Sequence, residues 1–109
     1  TASDALWMEE PVFTKLGKQF AARVCASLLY AVNLPELVTK NVNDYIQLAS
    51  ALGKNKSEIL EIKRKLKIGK SKKPLFDTKR YTKNFEKGLL EAFFTFRRKE
   101  KPVDIYINE

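Results

Sequence analysis

Thr1-Ala2-Ser3-Asp4-Ala5-Leu6-Trp7-Met8, then Pro11-Val12-Phe13-Thr14, then Gly17-Lys18-Gln19-Phe20-Ala21-Ala22-Arg23-Val24: the fold class turns on this opening. Hydroxyls and an acid lead into an amphipathic helical pattern over residues 2–9, which Pro11 ends. Val12-Phe13-Thr14 is short and apolar enough for a buried strand. Gly17 then opens a second helix, from Lys18 to about Val32, with Phe20, Val24, Leu28 and Ala31 along one face. Helix, strand and helix in this order read as part of a nucleotide-binding α/β lobe. The chain enters that unit without an initiator Met, so the expectation is the last part of a larger enzyme.

Beyond the opening, Asn33-Leu34-Pro35 breaks the second helix, and Glu36-Leu37-Val38 is a strand or a turn. Asn41-Val42-Asn43-Asp44 reads as a helix cap, with Tyr45, Leu48, Ala49 and Leu52 turned inward until Gly53. Ser57 to about Ile68 reads as a helix carrying Ile59, Ile62 and Leu66, and residues 69–74 as a loop. Asp77 or Thr78 caps a final helix from Lys79 to roughly Arg98, with a stripe of Tyr81, Phe85, Leu89, Ala92, Phe93 and Phe96. Pro102 ends it. Two short strands are too few for a complete sheet under this many helices, so most of the sheet is expected upstream.

Composition sets limits. The 109 residues suffice for one domain at most. No apolar run approaches the ~18 residues of a membrane span, and no membrane partner is expected. Cys25 is the only cysteine. A disulfide framework is therefore excluded, and a cytoplasmic or nuclear compartment is the expectation. Histidine is absent, which removes the commonest general base and zinc ligand, and no metal site is expected. Charge is uneven: residues 1–53 sum to −1 and residues 54–109 to +9.

Thr1, Ser3 and Asp4 are the first candidates for chemistry. A helix N-terminus leaves N–H groups unpaired and carries a partial positive charge, so it can hold a phosphate. A threonine hydroxyl there can add a bond to a diphosphate, and a carboxylate one turn on can accept from ribose hydroxyls. The same residues also serve as an N-cap and a first-turn acid, together worth about 1 kcal/mol. Taken alone they leave both readings open, the cap being the simpler. Gly17 reads as a backbone requirement near a ligand cleft, where a side chain would collide. Arg23 reads first as structural, paired across helices.

Lys63, Arg64, Lys65, Lys67, Lys70, Lys72 and Lys73 form a run of seven cations without an acid. Such a run can bind nucleic acid, but no aromatic residue is interleaved for base stacking. A solvated helix face is the favoured reading and nucleic acid is not expected. The phenylalanines of the last helix read most simply as core, with part of them available as an interface.

Four blocks in order carry a family resemblance: Thr1-x-x-Asp4-Ala5-Leu6-Trp7-Met8 with its following Pro; Gly17-x-x-x-Ala21-x-Arg23-Val24-x-Ala26-Ser27-Leu28-Leu29; Leu34-Pro35-Glu36-Leu37-Val38; and Pro74-Leu75-Phe76-Asp77-Thr78-Lys79-Arg80-Tyr81-Thr82. From Thr1 to about Phe96 the chain resembles the C-terminal end of the catalytic domain of the protein O-linked N-acetylglucosamine transferase family, Spindly-like relatives included. That resemblance implies an α/β fold of the GT-B type: two Rossmann-like lobes, of which this would be the C-terminal portion of one, mostly helical with one or two short strands. Residues 1–53 would end the nucleotide-sugar-binding lobe, 54–101 would be its basic C-terminal helices, and 102–109 a tail.

The resemblance further implies transfer of N-acetylglucosamine from UDP-N-acetylglucosamine to Ser or Thr hydroxyls of protein acceptors, without a metal or other cofactor. Thr1 would face the diphosphate and Asp4 the ribose, while Gly17 stays near the cleft. No catalytic residue falls within the chain, which would be inactive alone. An upstream catalytic lobe and tetratricopeptide repeats would complete the protein. Two alternatives remain: a basic helical module that binds nucleic acid or a protein, and the same fold using GDP-fucose. The chain also departs from the family pattern. Glu9 and Glu10 stand where a Gly and a small residue usually precede the Pro, so the turn either costs about 1 kcal/mol or is built differently. Leu16-Gly17-Lys18 keeps only the Gly of a Pro-Gly-Glu turn, and Phe94 replaces a Trp.

Overall fold

Three helix ends in this chain close on a residue in the left-handed region, and none of the three is glycine: Glu9 (φ 62°), Asn33 (φ 64°) and Lys99 (φ 57°). The computed structural model describes residues 1–108; Glu109, the last position of the expected tail, lies outside them. Helix α1 spans Ala2–Trp7 and is followed by strand β1, Thr14–Lys15. Helix α2 spans Ala21–Ala31, and a 3-10 turn at Pro35–Leu37 leads into strand β2, Val38–Thr39. Helices α3 (Val42–Lys54) and α4 (Lys56–Lys72) follow, then a second 3-10 turn at Pro74–Phe76 and helix α5, Thr78–Arg97. The chain is thus mostly helical, with one two-stranded parallel sheet among the described residues.

One compact unit spans Thr1–Phe76, and a second begins at Asp77. In the first unit β1 and β2 pair in parallel, Thr14 opposite Val38 and Lys15 opposite Thr39. The Leu16 N–H extends the ladder to the Thr39 carbonyl at 2.8 Å, and the buried Thr39 hydroxyl donates to the Thr14 carbonyl at 3.0 Å. Leu6, Leu29, Val32, Leu34, Leu37, Leu52, Ile62 and Leu66 form the core beneath this pair. The charge boundary at 53/54 falls inside this unit, because α4 supplies Ile62 and Leu66 to the same core.

Caps set the helix starts as their residue types predict. The Asn41 side chain accepts from the Asp44 N–H at 2.9 Å, and Asp77 accepts from the Arg80 N–H at 3.0 Å. Asn55 does the same for Glu58 at 3.2 Å, so one residue separates α3 from α4.

Six expectations need correction. The strand expected at Val12–Thr14 forms at Thr14–Lys15, and Tyr45, expected to turn inward, is exposed. Helix α1 stops at Trp7 rather than residue 9, because Glu9 takes a left-handed conformation. Helix α2 begins at Ala21, so Phe20 precedes it at 85% exposure and Val24 is also exposed; the buried face instead holds Ala26 and Leu29. The expected loop over residues 69–74 is helical as far as Lys72. Gly69 does not break α4: it is buried against the end of α2, where a Cβ would overlap the Val32 carbonyl oxygen. Finally, the aromatic stripe of α5 is not core. Tyr81, Phe85, Leu89, Phe93 and Phe96 are all exposed.

Within the second unit, the segment after Pro102 runs without helix or strand, and Lys87 Nζ donates to the Asn108 carbonyl at 3.3 Å. A cleft of about 580 Å³ lies between this segment and Lys87, Glu91 and Thr95 of α5.

Candidate functional site

Helix α1 is too short to be stable by itself, so tertiary contacts must hold it. Leu6 is its one fully buried residue. Thr1 begins the helix, its carbonyl accepting from the Ala5 N–H at 3.1 Å, but its side chain makes no capping bond. The first-turn N–H groups therefore have no side-chain partner from Thr1. Asp4 is 87% exposed, and its Oδ2 lies 3.4 Å from the Thr1 nitrogen. The structure thus places both residues together on one exposed first turn.

At its other end α1 closes in a Schellman motif. The Glu9 N–H donates to the Leu6 carbonyl at 3.1 Å and the Glu10 N–H to the Ala5 carbonyl at 2.9 Å, with Glu9 left-handed. The turn that glycine would make is therefore built by a glutamate, at a backbone cost of about 1 kcal/mol. Both acids then reach α4. Glu9 Oε1 pairs with Lys70 Nζ at 3.3 Å, and Glu10 Oε1 with Lys63 Nζ at 2.7 Å. Lys70 also stands 4.4 Å from the centre of the Trp7 ring, and Trp7 meets Phe76 edge-on at 5.2 Å.

Gly17 lies on the turn between β1 and α2, away from the first turn of α1 in sequence, and its contacts run to α2. A Cβ there would overlap that of Ala22. The Gly17 N–H donates to the Ala22 carbonyl at 3.1 Å, and Arg23 Nη1 donates to the Gly17 carbonyl at 3.1 Å. Arg23, expected to pair with a carboxylate across helices, instead donates to a backbone carbonyl just before its own helix. Gly17 follows the C-terminal end of a parallel strand, where open α/β sheets place their ligands.

The basic run is largely engaged rather than merely solvated. Besides Lys63 and Lys70, Lys65 Nζ pairs with Glu36 Oε1 at 2.9 Å and Arg64 with Glu61 at 2.7 Å. Burial pushes the Glu36 carboxyl up, but the hydrogen bond from Lys65, a backbone hydrogen bond and the Lys65 charge together hold it below its ordinary value. The hydrogen bond and charge of Glu36 hold Lys65 above its own. The three lysine pairings escaped sequence reasoning because they join residues 29 to 61 positions apart, whereas Arg64 and Glu61 pair within one helical turn. A cavity of about 370 Å³ opens between Pro11, Val12, Phe13, Leu52, Ile59 and Ile62. Thr1, Asp4 and Gly17 do not line it, whereas Glu10 and Lys63 do.

A parallel strand pair under helices, with a glycine turn leading from strand to helix, defines a mostly helical α/β arrangement. The family model for glycosyl transferase family 41 matches residues 1–85. A UDP-N-acetylglucosamine–peptide N-acetylglucosaminyltransferase of Caenorhabditis elegans is 32% identical over 108 residues, covering 99% of this chain and 9% of that protein. A probable UDP-N-acetylglucosamine–peptide N-acetylglucosaminyltransferase of Arabidopsis thaliana, SEC, is 32% identical over 94 residues, 85% of this chain and 10% of the relative. A probable enzyme of the same description from Petunia hybrida, SPINDLY, is 33% identical over 86 residues, 79% of this chain and 9% of the relative. The chain spans about a tenth of the length of these curated relatives. It belongs to glycosyltransferase family 41.

Proposed function

We propose that this chain is the C-terminal part of the sugar-nucleotide-binding lobe of a GT-B protein O-N-acetylglucosaminyltransferase working in the cytoplasm or nucleus. The observation that carries this reading is the family match over residues 1–85, which begins on the exposed first turn that bears Thr1 and Asp4. The donor is UDP-N-acetylglucosamine and the acceptor a Ser or Thr hydroxyl of a protein. The acceptor hydroxyl releases its proton, which the departing UDP phosphate can take up. As its oxygen bonds to the anomeric carbon, the bond from that carbon to the diphosphate breaks and negative charge grows on the leaving UDP. A helix N-terminus stabilises charge of that sign. Thr1 faces the diphosphate, Asp4 accepts from the ribose hydroxyls, and Gly17 keeps the β1–α2 turn close to the cleft. The other donor and acceptor groups come from an upstream lobe, with tetratricopeptide repeats before it, and the chain alone is inactive.

The similarity to UDP-N-acetylglucosamine–peptide N-acetylglucosaminyltransferases favours N-acetylglucosamine over fucose. A nucleic-acid module has less support, since Lys63, Lys65 and Lys70 are already paired with carboxylates. The test is calorimetry of UDP with the full-length transferase carrying this chain. Asp4→Ala should weaken UDP binding about tenfold, the order expected for one lost hydrogen bond to a charged group. Unchanged affinity refutes the ribose role, and transfer from GDP-fucose but not UDP-N-acetylglucosamine refutes the donor.

A further inference from the structure

We infer that Lys70, with Lys63, positions α1 for the sugar nucleotide by gripping the turn that ends it. This rests on the donor-site reading of Thr1 and Asp4. Helix α1 places one fully buried side chain, Leu6, in the core and packs against both α2 and α4. Helix α4 meets it at the end opposite Thr1 and Asp4. Lys70 lies over the Trp7 ring at 4.4 Å and reaches Glu9 at 3.3 Å, while Lys63 holds Glu10 at 2.7 Å. Three contacts from one rigid helix thus converge on the last turn of α1.

The backbone makes the contact testable. Glu9, like Asn33 and Lys99 at the ends of their helices, occupies a left-handed position that glycine fills without strain. What the Glu9 side chain does from that position is meet Lys70. If the grip served folding alone, glycine would be the better residue. If it orients α1, the glutamate earns its place by lowering the ordering cost that the ligand would otherwise bear.

The experiment compares Glu9→Gly, Lys70→Gln and Lys70→Arg in the full-length transferase, reading the UDP dissociation constant by calorimetry and the melting temperature on the same samples. Glu9→Gly is expected to melt at or above the wild-type temperature while binding UDP about threefold more weakly, the scale of one partly exposed ion pair. Lys70→Gln should weaken binding about fivefold, since the cation–π contact goes too. Lys70→Arg should restore binding to within about twofold, and Glu9→Gly should add little to Lys70→Gln. A merely structural role cannot raise or preserve the melting temperature and weaken the ligand together. If wild type binds UDP and Asp4→Ala weakens it, but Glu9→Gly and Lys70→Gln do not, the grip is overturned and the donor site stands. If wild type does not bind UDP, the donor reading falls and this inference falls with it.

Discussion

Gly69 and Gly88 both lie inside helices, yet Gly→Ala should act in opposite directions at the two. Alanine is worth about 1 kcal/mol over glycine in a helix interior. At Gly88 of α5 a methyl would meet nothing within 4 Å, so most of that gain should appear. At Gly69 the methyl would overlap the Val32 carbonyl oxygen and stand 3.2 Å from the Val32 carbonyl carbon and 3.4 Å from its Cβ. Backbone cannot rotate away as a side chain can, so α4 must move off the end of α2. That movement disturbs Val32 and Leu66, which are 1% and 0% exposed. Overpacking of this kind costs about 1–3 kcal/mol, and the upper end applies to a backbone clash. Less the propensity gain, Gly69→Ala should cost about 2 kcal/mol, or roughly 10 °C in melting temperature for a unit of this size. Trp7 is the only tryptophan and lies in the first unit, so its fluorescence follows that unit selectively. Circular dichroism at 222 nm follows Gly88→Ala. A Gly69→Ala variant whose Trp7 transition matches or exceeds wild type would refute the close approach of α4 to α2.

Three other outcomes are expected. The Glu36–Lys65 pair gives a pH window: Glu36 is held below 4.5, so its stabilisation is full above that value and disappears as pH falls through the lowered one. Lys65 is held above 10.5, so its share is full below that value and is lost as pH rises through the raised one. Glu36→Gln should therefore flatten the acid limb of a urea-stability profile, and an unchanged limb would show that the pair contributes nothing. Lys99→Gly should raise the stability of α5 by about 0.5–1 kcal/mol, because Lys99 closes that helix at φ 57°; a lowered helical melting transition would count against the Schellman geometry. The exposed Phe85, Leu89, Phe93 and Phe96 should make the isolated chain self-associate, with light scattering showing a mass that grows with concentration and Phe93→Lys reducing it. A constant monomer mass would contradict that.

Local signals carried most of the element inventory. Asn41 and Asp77 announce their helices because the cap bond closes within three residues. Leu52, Ile62 and Leu66 announce their buried faces through helical spacing. The failures share a cause: each depended on what lay across space. Gly69 looks like a breaker until Val32 is seen against it, and Phe20 looks like core until α2 is seen to start after it. The start of the candidate site was legible as Thr1 and Asp4 on one helical turn. The contacts at the other end of α1 were not, because Lys63 and Lys70 lie more than fifty residues from their acids.

The charge asymmetry gains a different meaning from those same pairs. Read along the chain, the first half is nearly neutral and the second strongly basic, which invites a search for an anionic partner outside. Folded, three of the five acids in residues 1–53, namely Glu9, Glu10 and Glu36, are taken by lysines of α4. None of these pairs is fully buried, and single exposed pairs contribute little. Their effect is one of orientation. Lys63, Lys65 and Lys70 flank the stripe of α4 that carries Ile62 and Leu66 into the core. The hydrophobic contact fixes the depth of α4, and the charges on either side of it fix its rotation and its grip on α1 and the Pro35–Leu37 turn. A helix that looks polar in the sequence therefore serves as the brace of the first unit, and the end of α1 is among the segments it braces.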